Sequence, residues 1–175
     1  MLHQENPSVI INTGSKQGIT NPPGNAAYNA SKAAVKSLTE GLSHELREFP
    51  GSHVTAHLFV YAPFLFLCRT IHDPRLDAHG HDGCEPADVA KRGGAAKPEG
   101  AWSATETVLY MLDKVRSGDF YIICPDNETR REVDQLRIMW GAADVAEGRP
   151  ALSRWHRDYK HLYEEYIKDG LASLS

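Results

Sequence analysis

Three side chains near the start of the sequence could exchange a proton with a bound carbonyl or alcohol. They are the phenol of Tyr28, the ammonium of Lys32 and the hydroxyl of Ser15. On a helix, Tyr28 and Lys32 are i and i+4, so they share a face with Cβ atoms about 6 Å apart. A tyrosine hydroxyl titrates at about 10, too high for acid–base work at neutral pH. A fixed cation one helical turn away favours the phenolate and brings the group into a useful range. Ser15 lies thirteen residues before Tyr28, at the end of an apolar run. Its hydroxyl could bond a substrate oxygen and stabilise the negative charge developing there. Lys16 and Gln17 would line the mouth of such a site and are candidates for substrate contact. Asn12 and Thr13 read as strand and turn residues.

This chemistry needs a strand to carry Ser15 and a helix to carry the other two. Ser8 to Thr13 is a short apolar run rich in β-branched residues, ended by Gly14, the pattern of a strand buried on both faces in a parallel sheet. Pro22-Pro23-Gly24 forces a turn within a loop from Lys16 to Asn25. Asn25 is placed to cap a helix. That helix, over residues 26 to 47, carries Ala27, Ala30, Ala34, Val35, Leu38, Leu42 and Leu46 at three- and four-residue spacings and stops at Phe49-Pro50-Gly51.

His53 to Val60 reads as a second strand and Asp119 to Cys124 as a third. Between them, Ser103 to Val115 is a helix whose Ser103-x-x-Glu106 start fits a capping box. Within it, Leu109, Met111, Leu112 and Val115 read as core. Two further helices are expected, over about 128 to 140 and 152 to 171, separated by Gly141, Gly148 and Pro150. Trp155, Tyr159, Tyr163, Tyr166 and Ile167 form a stripe that would pack on the sheet or on a partner subunit. Arg130, Arg131, Arg154 and Arg157 read as solvated helix faces. Alternating strands and helices imply an α/β fold, a Rossmann-like parallel sheet with helices on both faces.

Composition narrows the functional classes. With 175 residues the chain suits one domain. Its 23 acidic against 19 basic side chains give no reason to expect a nucleic-acid partner or an anionic membrane surface. No apolar run reaches the ~18–20 residues that span a bilayer. The first residues lack a signal-peptide pattern. Cys68, Cys84 and Cys124 form no disulfide framework, which suits a reducing compartment, and the expectation is a cytoplasmic protein. The sequon at Asn127 is read as coincidence. Residues 70 to 100 form a stretch poor in large apolar side chains, read as a lid, an insertion or a disordered loop. Its His79, His81 and Cys84, with His72 and Asp77, could ligate zinc, but ligands this close in a glycine-rich loop lack a rigid frame, so no metal is expected.

Ser8-Val9-Ile10-Ile11-Asn12-Thr13-Gly14-Ser15, then Tyr28-Asn29-Ala30-Ser31-Lys32, then a long helix and the strand to Val60 resemble the short-chain dehydrogenase/reductase family. The specific motifs run from about Ser8 to Val60, and the likeness continues more loosely to the C-terminus. The resemblance implies an oxidoreductase that interconverts a carbonyl and a secondary alcohol with NADP or NAD. In it Ser15, Tyr28 and Lys32 are catalytic, and Tyr28 and Lys32 also lie at the cofactor, Lys32 touching the nicotinamide ribose. It also implies a homo-oligomer, because the helix bearing Tyr28 and Lys32 commonly packs on its symmetry mate.

The sequence departs from the family's pattern in two places. No glycine-rich turn of the G-x-x-x-G-x-G kind precedes Ser8, so the chain matches the C-terminal portion of the fold, its three strands being the fifth to seventh of seven. After Val60, where the family has Pro-Gly and then a threonine at the nicotinamide, the sequence has Tyr61-Ala62-Pro63-Phe64, and no cofactor role is assigned to Thr70. Two expectations follow: an unpaired apolar edge along Ser8–Thr13, and weak or absent dinucleotide binding by this chain alone. Two rival readings accompany the enzyme. One is a truncated, inactive remnant acting only through subunit association. The other is a metal-dependent hydrolase built on the histidine loop.

Overall fold

The computed structural model describes residues 5–61, 102–125 and 130–173. Strand β1, Ser8–Thr13, leads through a one-turn helix α1, Gln17–Thr20, into the long helix α2, Ala26–Glu48. Strand β2, Val54–Val60, follows, then helix α3, Ala104–Arg116, and strand β3, Tyr121–Ile123. Helix α4, Arg131–Ala146, a short 3-10 turn at Ser153–Trp155 and helix α5, Lys160–Ser173, complete the described chain.

The three strands form a parallel sheet in the order β1-β2-β3. Ser8 pairs with Val54 and Thr13 with Phe59, while Leu58 pairs with Tyr121. This is the expected α/β arrangement, with helices on both faces. On one face Leu42 and Leu46 of α2 cover Ile10, Val54 and Ala56. On the other, Tyr110, Met111 and Val115 of α3 cover Ile11, Phe59, Ile122 and Cys124. β2, central in the sheet, is buried from Ala56 through Val60.

Local signals set several boundaries. Asn25 caps α2 by accepting the Tyr28 N–H at 3.1 Å. Ser103 and Glu106 complete the reciprocal capping box of α3. Gly51, at φ +76°, supplies the left-handed turn after α2 that a side chain would disfavour.

Other expectations are corrected. β1 is not buried on both faces: Val9 and Thr13 are exposed, because among the described residues β1 pairs only with β2. The expected loop after Ser15 contains α1. α4 runs through Gly141 to Ala146, since one glycine costs only about 1 kcal/mol within a helix otherwise held by packing. Leu38, Leu109 and Leu112 are exposed and not core. On α2 the buried line passes instead through Asn29, Thr39 and Leu46. The aromatic stripe packs on α4, where Tyr163 and Tyr166 meet Trp140 at 5.4 and 5.1 Å, and Trp155 belongs to the 3-10 turn. The 70–100 stretch, Cys68, Cys84 and the sequon lie outside the described residues.

Candidate active site

The site begins where β1 ends. The Gly14 N–H extends the ladder onto the Phe59 carbonyl at 2.7 Å. A Cβ on Gly14 would press within 3.1 Å of Leu58 and 3.2 Å of Val60, so glycine lets the chain hug β2 here. Ser15 follows, and its Oγ accepts the Gln17 N–H at 3.2 Å while its carbonyl accepts the Gly18 N–H at 3.0 Å. These bonds start α1 and hold the Ser15 hydroxyl at the strand end.

Gly18 then brings α1 against α2. A Cβ at that position would lie 2.5 Å from the Lys32 carbonyl carbon and 2.7 Å from the Ala33 nitrogen, closer than any side chain can come to backbone. Asn21, in the left-handed region at φ 46°, ends α1. Buried Asn29 holds the next loop by donating to the Asn21 side chain at 3.1 Å and to the Pro22 carbonyl at 2.6 Å. Deeper along α2, Thr39 accepts from Asn12 at 3.1 Å and donates to the Val35 carbonyl, which ties β1 to the helix.

This frame places Tyr28 and Lys32 side by side. The Lys32 ammonium lies 5.8 Å from the Tyr28 ring centroid and donates to the Thr13 carbonyl at 3.1 Å. It therefore bridges the helix and the strand end, two residues before Ser15. Tyr28 and Lys32 are both half-buried. Lys32 is the member of the three through which the other two are related: its ammonium is beside the phenol, and its backbone is packed under the turn that Ser15 opens.

Lys16 and Gln17 follow Ser15 at the start of α1. The Lys16 ammonium pairs with Asp134 of α4 at 2.5 Å, and Asp134 also accepts from Arg137 at 3.1 Å. The Gln17 backbone, through its bond to Ser15, is what shapes the site. Asn12 is a strand residue, as read. Asn29 and Thr39 were passed over by sequence reasoning because polar residues on a helix suggest its wet face; the signal available was their three- and four-residue offset from Lys32 and Val35.

A cavity of about 140 Å³ lies elsewhere, at the end of β3 between α3 and α4. Ser15, Tyr28 and Lys32 do not line it. Of its polar groups, Lys114 pairs with Asp119 at 3.2 Å, Tyr121 bonds Glu40 of α2, and Asp134 bonds Lys16 of the β1–α1 turn. Ser15, Tyr28 and Lys32 lie instead at the end of β1 and the start of α2. Among the described residues no group of His, Cys, Asp or Glu could hold a metal ion, and no helix is long and apolar enough to cross a membrane.

Residues 1–56 match the model of the short chain dehydrogenase family. A crystal structure of a short chain dehydrogenase/reductase from Burkholderia phymatum, solved in complex with NAD, is similar in fold at a TM-score of 0.59 and 25% identity. The match covers 86% of this chain and 52% of that one. The first third of the chain thus resembles the short-chain dehydrogenase/reductase family in sequence, and the chain's fold is similar to that of a member. The chain spans about half the length of that solved relative. No curated protein matches it. The segment that matches the family model contains Ser15, Tyr28 and Lys32, and also Asn29 and Thr39 with their contacts to the Pro22 loop and to Asn12.

Proposed function

We propose that the chain is an oxidoreductase that interconverts a carbonyl and a secondary alcohol with NAD or NADP, Ser15, Tyr28 and Lys32 being its catalytic residues. The observation that carries this reading is the placement of the Lys32 ammonium, held on the Thr13 carbonyl at 3.1 Å and beside the Tyr28 ring at 5.8 Å. A cation held there offers electrostatic stabilisation to negative charge that develops at the reacting oxygens. In reduction the Tyr28 hydroxyl donates a proton to the substrate oxygen; in oxidation its oxygen removes one. The Ser15 hydroxyl bonds the same substrate oxygen and opposes the build-up of charge there.

The residues present suit the ribose end of a nicotinamide cofactor. An ammonium has three donors, and the Thr13 carbonyl takes one of them, which leaves Lys32 able to hold ribose hydroxyls beside Tyr28. When bound, such a cofactor would supply or accept the hydride. Tyr28 and Lys32 offer contacts to the ribose end alone, so dinucleotide binding through them should be weak. Isothermal titration with NADH and NADPH is expected to give a Kd weaker than about 0.1 mM; single-digit micromolar affinity would overturn the weak-binding expectation. Turnover of secondary alcohols at millimolar cofactor, followed by nicotinamide absorbance and abolished by Tyr28→Phe, tests the reaction itself.

A second reading, association without catalysis, draws on α2. Leu38 is 72% exposed on a helix face whose Ala26, Ala27, Ala30, Ala33 and Ala34 are also exposed, which suits close packing against another helix. This predicts a homo-oligomer through the Tyr28/Lys32 helix. Sedimentation of wild type and Leu38→Glu separates the readings: a dimer that dissociates with no turnover in either form favours association alone.

A further inference from the structure

α1 has four residues, and helices shorter than about 12 residues do not hold themselves in water, so its place depends on what it is tied to. Ser15 opens it by accepting the Gln17 N–H at 3.2 Å and the Gly18 N–H at 3.0 Å. Asn21 closes it, donating its N–H to the Gln17 carbonyl at 3.0 Å from the left-handed region. Lys16 ties the first end to Asp134 of α4, and Asn29 ties the last end to α2. Asn29 follows Tyr28 directly, lies three residues before Lys32 and is 3% exposed. Its amide nitrogen has two donors, and they go to the Asn21 side-chain oxygen at 3.1 Å and the Pro22 carbonyl at 2.6 Å. Its Oδ1 is buried and accepts no hydrogen bond among the described residues. An amide with one half unsatisfied is a poor choice for cohesion alone, because an apolar side chain there would avoid the desolvation cost. The satisfied half gives direction: two donors of one planar group fix the end of α1 against the helix that carries Tyr28 and Lys32.

We propose that Asn29 is a positioning residue: by holding Asn21 and Pro22 it sets where α1 lies on α2, and hence where the Ser15 hydroxyl stands relative to the Tyr28 phenol. A shift of Asn21 across α2 is passed through a single helical turn to Ser15. This rests on the oxidoreductase reading and adds to its site a residue that acts through Ser15.

Asn29→Leu in the 175-residue chain is the test, since it keeps the branched shape and removes both donors. Asn29→Ala is read in the same way should the leucine variant not fold by circular dichroism. Hydrogen exchange is the first readout. The amides of Gly18, Ile19, Thr20 and Asn21, which close α1, should exchange about tenfold faster or more, while those of β1 keep their wild-type rates. Turnover of secondary alcohols at millimolar cofactor is the second: kcat should fall by about tenfold or more with KM little changed. In a Ser15→Ala background the same substitution should cost almost no further turnover, because its effect passes through Ser15. Asn21→Asp keeps the acceptor oxygen and should retain the turnover that Asn21→Gly loses. Unchanged exchange at α1, or an equal loss of turnover with and without Ser15, overturns the proposal. Faster exchange throughout β1 with a lowered melting temperature overturns it too, as the mark of an ordinary packing residue. Absence of turnover in wild type overturns the oxidoreductase reading, and the exchange rates then decide by themselves whether Asn29 holds α1.

Discussion

Around Lys32 the chain is held by backbone carbonyls and buried amides, whereas around Trp140 it is held by stacked rings and guanidinium groups. In the first region Lys32 bonds the Thr13 carbonyl, Asn29 the Pro22 carbonyl, and Asn12 bonds Thr39. In the second, Trp140 is covered by Arg149 at 4.1 Å and met by Tyr163 and Tyr166, and its indole N–H donates to buried Ser153, which Asp144 also holds. Hydrogen bonds to the backbone are directional and set the position of a reacting group narrowly. Stacked rings contribute buried area and tolerate sliding. The strand-end region is built for geometry and the C-terminal helices for cohesion, and the Lys16–Asp134 pair joins the two.

The largest separation of the two regions should come from Tyr28→Phe. It removes a hydroxyl that bonds nothing among the described residues, so turnover should fall about 10²- to 10⁴-fold while thermal stability hardly moves. Steady-state kinetics beside calorimetric melting would show this; a comparable loss of stability would erase the contrast. Trp140→Ala is the reverse case. It should destabilise the protein by about 3–5 kcal/mol in denaturant unfolding, with its damage confined to α4, the 3-10 turn and α5.

Gly18→Ala tests whether the strand-end region is as exacting as its contacts imply. The added methyl would meet the Lys32 and Ala33 backbone, and a cost of about 1–3 kcal/mol in thermal unfolding is expected. No measurable cost would mean α1 can shift freely off α2. The smallest effect concerns pH, at the point where α2 touches β3. Tyr121 donates to Glu40, which also accepts from Lys36 at 2.7 Å. Burial, then the bond to Glu40 and its charge, push Tyr121 up to about 12. Because the fold favours the neutral phenol, this stabilisation is intact below about pH 10 and is lost as pH rises toward about 12. Glu40 moves the other way. Burial raises it, but the bonds from Lys36 and Tyr121 and the Lys36 charge outweigh that and leave it below its ordinary value of 4.5. Its contribution is therefore present above that value and lost on acidification. Tyr121 is half exposed and Glu40 about one-third exposed, so solvent screens both, and melting profiles of Tyr121→Phe and Glu40→Gln should differ from wild type only slightly, and at opposite ends of the pH range.

Much of this could be read from the residues because the decisive signals are local. β1, the Asn25 cap and the capping box at Ser103 each depend on a few neighbouring residues. The Tyr28–Lys32 pair depends only on helical periodicity. What escaped reading depends on partners distant in sequence. Asn29 and Thr39 look like surface residues until the Pro22 loop and Asn12 are brought to them. Leu38, Leu109 and Leu112 look like core because hydropathy alone does not say which side of a helix meets the sheet. Arg154 was read as solvated, yet its place between Trp155 and Tyr163 follows from a break between the 3-10 turn and α5 that no glycine or proline marks.

Parallel pairing of β1 with β2 also sets an order of events at the ribosome. Ser8 meets Val54, 46 positions later, so the first strand leaves the tunnel with its valine and isoleucines uncovered. At about 5–20 residues per second, roughly 2–9 seconds pass before its partner is synthesised. Until then the Thr13 carbonyl has no rigid place in a sheet from which to receive Lys32. Ser15, Tyr28 and Lys32 are translated before β2, and they reach the positions seen here only after that downstream segment has emerged.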